Sequence, residues 1–263
     1  MGFQTKAVVD HIVGWLEGYR KNAGSKGFVI GVSGGVDSAV TSALCARTGA
    51  SVLLLDLPIH QSTSQRNRGL AHIGQLKSLY SNVSSASVDL TGTFDVMVEA
   101  LKTSGDDANH QLALANTRSR LRMTTLYYYA GSRGLLVAGT GNKVEDFGVG
   151  FYTKYGDGGV DLSPIADLMK SEVYALGKEL GVGEEILSAP PTDGLWGDDR
   201  SDEDQLGASY PELEWAMEFS GDESKLSERQ REVLEIYRRQ HMANKHKMVP
   251  MPVCLIPAHL REH

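Results

Sequence analysis

Short apolar runs alternate with amphipathic stretches along most of the chain. The short apolar runs predict strands at four places. Apolar residues at helical spacing predict helices before and between these strands. The strands are Phe28-Val29-Ile30, Ser51 to Leu57, Asn82 to Leu90 and Leu135 to Gly139. The helices are Phe3 to Arg20, a segment with Leu70, Ile73 and Leu76, and about Leu112 to Tyr129. This order favours right-handed parallel crossovers, and it predicts one α/β domain over residues 1–263: a doubly wound, mostly parallel sheet with helices on both faces.

The second half of the chain combines a glycine-rich passage with three more predicted helices. The passage runs from Thr140 to Gly159 without helical or strand periodicity, and long loops of this kind are usually functional. The first helix is expected to stop at Gly181. Capping-box pairs mark the starts of the other two, Ser209 with Glu212 and Ser227 with Gln230. We expect an acidic loop from Asp193 to Gly207 and, because of its prolines, an extended tail from Asn244 to Pro252.

Composition narrows the classes of function. The chain has 263 residues, with 26 Lys and Arg against 33 Asp and Glu, and a formal charge of −7. An acidic chain without a basic block is a poor candidate for binding nucleic acid. Cys45 and Cys254 lie far apart, so neither a disulfide framework nor a CxxC metal site is indicated. No signal peptide or membrane-spanning run is visible, and we expect a cytoplasmic protein with no membrane partner.

The strongest chemical motif directly follows the first predicted strand. It is Gly31-Val32-Ser33-Gly34-Gly35-Val36-Asp37-Ser38. Its glycines let the backbone approach a ligand, and the start of the next helix adds partial positive charge, so the loop would seat an anion such as a phosphate. It has neither the lysine and spacing of a Walker A loop nor the pattern of a Rossmann loop. The alternative is an ordinary turn in which Asp37 and Ser38 cap the helix.

Other polar residues are ambiguous on spacing alone. Asn116 and Arg120 share one helix face, which suits capture of a phosphate or carboxylate, although a solvated arginine face is the simpler interpretation. Asp37 and Glu145 offer the oxygens that a magnesium ion prefers, but carboxylates in loops are usually only solvated. Lys170 is expected in the first turn of a helix, where a cation opposes the dipole unless an anion is near.

Taken together, these motifs resemble the NAD synthetase family of the PP-loop ATP pyrophosphatases. The resemblance keeps order and spacing from Gly31 to about Lys247. Its motifs are Ser33 to Ser38, Asn116-x-x-x-Arg120-x-Arg122-Met123, Gly139-Thr140 with Glu145, Gly150 to Gly158, Asp161-Leu162-x-Pro164, Lys170, Pro191-Thr192 and His246-Lys247. The stretch Thr140 to Glu145 looks more like glutamine-dependent members, but a chain of this length is not expected to carry their glutaminase domain.

The resemblance implies a ligase that amidates deamido-NAD to NAD with ATP and ammonia, through an acyl-adenylate, and releases AMP and pyrophosphate. Family members are homodimers with the dinucleotide site at the subunit interface. Free ammonia is the expected donor, and a separate amidase partner stays open. By position, ATP would be held by Gly31 to Ser38, Thr140, Lys170 and Thr192, Mg²⁺ by Asp37 and Glu145, and deamido-NAD by Arg120, Lys154, Asp161, His246 and Lys247. Asp37 and Lys170 would act in catalysis.

Two other functions stay open. A GMP synthetase subunit or a tRNA-thiolating enzyme also carries a PP-loop. Thiolation usually needs paired cysteines and a basic RNA surface, and a GMP synthetase would leave the match from Lys154 to Asp161 unexplained. A nucleotide-binding module without catalysis would not need Asp37 and Glu145 together.

Overall fold

Four parallel strands form the centre of the fold. The computed structural model describes residues 2–101, 108–192, 194–195 and 201–261. Within these ranges the strands follow the order β3-β2-β1-β4. They are β1 (Gly27–Gly31), β2 (Ser51–Asp56), β3 (Val83–Ser87) and β4 (Leu135–Val137). Gly27 lies opposite both Ser51 and Leu135, so the chain winds from β1 toward both edges and the predicted doubly wound sheet is confirmed.

Helices occupy most of the remaining described chain. Before the glycine-rich passage they are α1 (Thr5–Asn22), α2 (Val36–Arg47), α3 (Thr63–Leu79), α4 (Thr91–Leu101) and α5 (Ala108–Arg133). After it come α6 (Lys170–Glu179), α7 (Glu184–Leu187), α8 (Asp202–Leu206), α9 (Tyr210–Glu218) and α10 (Glu228–Met248). The helices predicted from apolar spacing are confirmed, with ends a few residues from those expected. Helix α4 was not predicted.

Side chains of the strands alternate between two apolar cores. Phe28 and Leu54 face α1, α2, α3 and α6, whereas Val29 and Leu53 face α4 and α5. All four are at most 1% exposed. Burial on both faces of a parallel sheet explains why β1 and β2 read as continuous apolar runs.

A third core lies among the C-terminal helices. It contains Val144 and Val149 from the glycine-rich passage, Leu213 from α9 and Val233 from α10. The part of the passage that carries Glu145 therefore packs with a helical layer, whereas α2 packs with the sheet. The two carboxylates predicted to hold magnesium, Asp37 and Glu145, are thus carried by segments that pack in two different cores.

Three local predictions change in the structure. The glycine-rich passage is not irregular throughout, because Val144–Val149 forms a π-helix, a feature frequent at functional sites. The extended tail is wrong for residues 244–248, since α10 continues to Met248. A proline restricts mainly the residue before it, so Pro250 acts on Val249 and no earlier. The acidic loop contains α8, while positions 193 and 196–200 lie outside the described residues.

The described helices were also compared with the demands of a bilayer. None of them combines the length and the apolar character that crossing a membrane requires.

Candidate active site

The glycine loop joins the carboxyl end of β1 to the first turn of α2. Gly34 has φ 86, a conformation that favours glycine, and a Cβ atom there would lie 2.3 Å from the carbonyl oxygen of Gln65 on α3. The N–H of Ser33 donates to Ser38 Oγ over 3.2 Å, and that hydroxyl donates to the carbonyl of Gly35 over 3.0 Å. The loop is therefore held against α3 and the start of α2, where N–H groups and the dipole favour an anion.

Asp37, Glu145 and Lys170 meet beside this loop. Asp37 is in the first turn of α2, Glu145 is on the π-helix and Lys170 is the first residue of α6. Lys170 Nζ lies 2.5 Å from Asp37 Oδ2 and 2.9 Å from Glu145 Oε1. Only 3% of Lys170 is exposed. A cation in the first turn of a helix opposes the helix dipole unless an anion is near. The two carboxylates supply that negative charge, and so they explain why Lys170 is tolerated there.

Burial and neighbouring charge set the pKa values of this group. Burial alone would lower the pKa of Lys170, but Asp37 and Glu145 raise it above its usual value. Burial, and after it the charge of Glu145, raise the pKa of Asp37 above its usual value, although Lys170 acts to lower it. Burial also acts to raise the pKa of Glu145, yet Lys170 and the hydroxyl of Tyr210 bring it below its usual value. The two carboxylates that contact Lys170 thus favour its charged form.

Three residues that the sequence analysis missed complete the charged group. Asn142 Nδ2 donates to Asp37 Oδ1 over 3.0 Å. The hydroxyl of Tyr210 donates to Glu145 Oε1 over 2.6 Å and lies 3.3 Å from Asp202 Oδ2. Asn142 lies in the loop beyond β4, at the sheet edge where ligands bind, and that position was a usable signal. No local pattern marks Tyr210 or Asp202, and Tyr210 lies 65 residues from Glu145 along the chain.

A cavity lies in front of this group at the carboxyl edge of the sheet. Every position predicted for ATP and for magnesium lines it: Gly31 to Ser38, Thr140, Lys170, Thr192, Asp37 and Glu145. Its lining also includes polar side chains that the sequence analysis did not assign: Gln61, Gln65, Arg68, Arg122 and Asp157. The structure therefore gathers into one cavity residues from seven separate parts of the chain.

Comparisons with known proteins agree with this arrangement. The model of the NAD synthase family matches residues 8–250. An NH(3)-dependent NAD(+) synthetase of Syntrophomonas wolfei is 36% identical over 259 residues, which cover 97% of this chain and 98% of that protein. A protein of the same description from Carboxydothermus hydrogenoformans is 34% identical over 239 residues, with 90% and 93% covered. The chain belongs to the NAD synthase family. It is accordingly an enzyme, a C–N ligase with ATP as a substrate.

A solved structure extends the comparison to three dimensions. The NMN synthetase of Francisella tularensis aligns with a TM-score of 0.84 at 31% identity, and the match covers 98% of this chain and 100% of that one. The predicted family and the PP-loop α/β fold are confirmed.

In this NAD synthase family member, most residues predicted to hold deamido-NAD form a second group outside the lining of the cavity described above. The guanidinium of Arg120 donates to the carbonyl of Lys154 over 3.3 Å, and Lys154 Nζ donates to the carbonyl of His246 over 2.9 Å. Lys247 Nζ donates to two carbonyls of the glycine-rich passage, each over 2.8 Å. These contacts join α5, the glycine-rich passage and the last turn of α10.

Asp161 is placed differently. Its Oδ1 accepts a hydrogen bond from the hydroxyl of Tyr127 over 3.0 Å, and its Oδ2 accepts one from the N–H of Val137 over 2.8 Å. Both oxygens thus hold the edge strand β4 and α5 in place, and Asp161 does not line the cavity. Its contact with deamido-NAD stays a prediction.

The donors at Asp37 and Glu145 suit magnesium. Both carboxylates contact the Lys170 ammonium, so they lie close together beside the glycine loop. Magnesium usually takes one or two protein carboxylates and completes its shell with water and substrate phosphates, which the adjoining loop would place. The described ranges hold no group of three or more His, Cys, Asp or Glu side chains suited to a metal, so the two carboxylates fit a shared site better than an all-protein one.

Proposed function

We propose that this chain amidates deamido-NAD to NAD with ATP and ammonia. The observation that carries the proposal is the convergence of the glycine loop, Asp37, Glu145 and Lys170 on one cavity in a fold of the NAD synthase family. A nicotinate carboxylate is a poor electrophile, and an enzyme that cleaves ATP between the α and β phosphates activates it directly. The curated relatives described as NH(3)-dependent NAD(+) synthetases support this reaction.

In the first step a carboxylate oxygen of the substrate attacks the α-phosphorus of ATP, which gives an acyl-adenylate and pyrophosphate. Negative charge grows on the departing pyrophosphate. The N–H groups of Ser33 to Ser38 and the Lys170 ammonium are fixed before the reaction, and such preorganised charge stabilises a transition state effectively. Magnesium, held by Asp37 and Glu145, would neutralise part of the phosphate charge.

In the second step ammonia attacks the acyl carbon, the bond from carbon to the AMP oxygen breaks, and the nitrogen loses a proton. No serine or cysteine nucleophile is required. Free ammonia is the expected donor, and a separate amidase is the alternative source. Water would hydrolyse the acyl-adenylate, so the site must exclude it. The enclosed placement of Lys170, which is 3% exposed, is consistent with this need.

Deamido-NAD would be held by Arg120, Lys154, Asp161, His246 and Lys247. Four of them join α5, the glycine-rich passage and α10, next to the ATP cavity but outside its lining: Arg120, Lys154, His246 and Lys247. A homodimer with the dinucleotide site at the subunit interface would place this group against a second copy of the chain. Arginine and lysine there suit the phosphates of a dinucleotide.

The mononucleotide acid is a second candidate substrate. The solved structure with a TM-score of 0.84 is described as an NMN synthetase, at 31% identity over nearly the whole chain. The same chemistry on nicotinate mononucleotide would give NMN, because the reacting carboxylate is identical and only the distal nucleotide differs.

One assay separates these possibilities. Purified protein receives ATP, magnesium and ammonium with either deamido-NAD or nicotinate mononucleotide, and nucleotides and pyrophosphate are measured. We expect AMP, pyrophosphate and NAD, with a higher kcat/KM for the dinucleotide. A higher kcat/KM for the mononucleotide would favour NMN synthesis. Release of ADP and orthophosphate, or AMP formation without either acid, would refute both. Glutamine in place of ammonium tests the nitrogen donor.

A further inference from the structure

Tyr210 connects the predicted magnesium carboxylate to the C-terminal helical layer. Its hydroxyl donates to Glu145 Oε1 over 2.6 Å, the same oxygen that accepts from Lys170 over 2.9 Å. The Lys170 ammonium lies 4.7 Å from the centre of the Tyr210 ring. Tyr210 therefore contacts two of the three charged residues of the site, Glu145 through its hydroxyl and Lys170 through its aromatic face.

The position of Glu145 in the fold explains why a contact such as that from Tyr210 matters. It is carried by a π-helix, whose hydrogen bonds are less regular than those of an α-helix. Its neighbours Val144 and Val149 pack in the third core, whereas Val36 and Ala39, the neighbours of Asp37 on α2, pack in the core against the sheet. The distance between the two carboxylates is thus set by contacts across the boundary between two cores, and Lys170 and Tyr210 supply contacts at that boundary.

Both the ring and the backbone of Tyr210 are held in place by neighbouring residues. It is 4% exposed and packs in the third core with Leu213 and Val233. It is the first residue of α9, and its N–H donates to Glu203 Oε1 over 3.0 Å. The N–H of Ser209, just before it, donates to Glu212 over 2.9 Å. The backbone of Tyr210 is therefore held at the start of α9 by two carboxylates.

We propose that Tyr210 is a positioning residue for magnesium. Its hydroxyl fixes the position of the Glu145 carboxylate relative to that of Asp37. It therefore sets how strongly this pair binds a divalent cation together with ATP. The inference rests on the proposed function, in which Asp37 and Glu145 share magnesium with the ATP phosphates. Partners that orient metal-binding carboxylates typically change metal affinity by about 10–100-fold when they are removed.

The test compares Tyr210→Phe with the wild type in ATP binding without turnover. The dissociation constant for ATP is measured by calorimetry with magnesium and again with EDTA, and no nicotinate substrate is present. The ratio of the two constants is the gain that magnesium provides. We expect this gain to fall about 10-fold in Tyr210→Phe, while ATP affinity in EDTA stays within about twofold of the wild type. An unchanged gain in the variant would overturn the proposal.

Three further variants make the result specific. Tyr237→Phe removes a hydroxyl from a ring that packs against the same core but makes no contact with the site, and it should keep the wild-type gain. Glu145→Gln should remove most of the gain. If Glu145→Gln and Asp37→Asn both keep it, the magnesium role in the proposed function fails; if they lose it and Tyr210→Phe does not, only the role of Tyr210 fails.

Folding is checked by thermal unfolding of each variant. Tyr210→Phe keeps the buried ring, so we expect it to fold. Should it not fold, Glu203→Ala decides the question, because it leaves the core intact and removes the carboxylate that holds the Tyr210 N–H. We then expect a smaller loss of the magnesium gain, about 2–3-fold, and an unchanged gain would again overturn the proposal.

Discussion

The ammonium of Lys170 lies 2.5 Å from Asp37 Oδ2, although 133 residues separate the two along the chain. The same ammonium reaches Glu145 Oε1 over 2.9 Å. Two carboxylates this close to one point would raise each other's pKa values if no cation stood between them. Lys170 thus offsets the repulsion between the two carboxylates, and in the proposed reaction its ammonium would face the ATP phosphates.

Replacing Lys170 by Met should abolish most activity. The variant keeps most of the length of the side chain and loses the charge, so in the proposed reaction the departing pyrophosphate loses one fixed cation. Removal of one such group typically costs about 100–1,000-fold in kcat. Lys170→Arg should recover only part, because a planar guanidinium does not fit between two carboxylates as an ammonium does. AMP formation at saturating substrates measures the effect.

The matched control is Lys178→Met on the exposed side of the same helix. It should keep wild-type turnover. Activity of Lys170→Met within tenfold of the wild type would mean that Lys170 has no direct part in the chemistry.

Local signals made part of this site predictable from sequence. Strand β1 is buried on both faces, which produces the apolar run that directly precedes the glycine loop. The loop then marks the carboxyl edge of the sheet, where parallel folds bind ligands. The capping box at Ser227 is equally local, and its hydroxyl accepts from the N–H of Gln230 over 3.2 Å.

Contacts between distant segments were not predictable in this way. Tyr210 and Glu145 lie 65 residues apart, and neither stretch carries a pattern that points to the other. The π-helix at Val144–Val149 has no characteristic spacing of apolar residues, so the passage was interpreted as a loop. Lys170 at a helix start was unfavourable on local grounds, and only its two tertiary partners explain it.

Gly34→Ala should weaken both stability and ATP binding. Its φ of 86 is strained for alanine, and the new Cβ would lie 2.3 Å from the backbone oxygen of Gln65. Gly49→Ala is the matched control, because Gly49 has a similar φ of 74 and no atom within 4 Å of the added Cβ. We expect Gly49→Ala to lose about 1–2 kcal/mol of unfolding free energy and to bind ATP normally.

Gly34→Ala should lose more unfolding free energy than this control and at least about tenfold in ATP affinity. Urea unfolding and calorimetry with magnesium and ATP give the two quantities. Equal behaviour of the two alanine variants would show that close packing of α3 on the loop is unimportant.

Arg120→Ala should affect the nicotinate substrate and spare ATP. Arg120 lies outside the lining of the cavity proposed for ATP and donates to the carbonyl of Lys154. A charge-assisted hydrogen bond contributes about 1.5–3 kcal/mol, so we expect the KM for deamido-NAD to rise about 10-fold or more. The KM for ATP should stay within about twofold. Arg133→Ala, at the end of the same helix, is the control, and a similar rise in both KM values for Arg120→Ala would contradict the assignment.

His72 should make the stability of the protein depend on pH. It is 3% exposed, its Nε2 lies 2.9 Å from Ser42 Oγ, and its Nδ1 has no hydrogen-bond partner among the described residues. Burial lowers the pKa of His72 from 6.5 to about 4. Below pH 6.5 His72 therefore binds a proton in the unfolded chain, whereas in the folded chain it binds one only below about pH 4. The unfolded state binds more protons in this window, so stability is complete above it and falls as the pH falls, by roughly 3 kcal/mol in all.

His72→Gln removes this titration while keeping a polar side chain beside Ser42. We expect the variant to be less stable than the wild type at pH 7.5, because the fit of the ring is lost, yet to lose less further stability on acidification to about pH 4.5. Urea unfolding of both proteins at the two pH values measures the difference. His259→Gln, in the exposed C-terminal segment, should follow the wild type. Parallel losses in the wild type and His72→Gln would mean that His72 already carries a proton in the folded protein, which its burial and an Nδ1 without a partner among the described residues argue against.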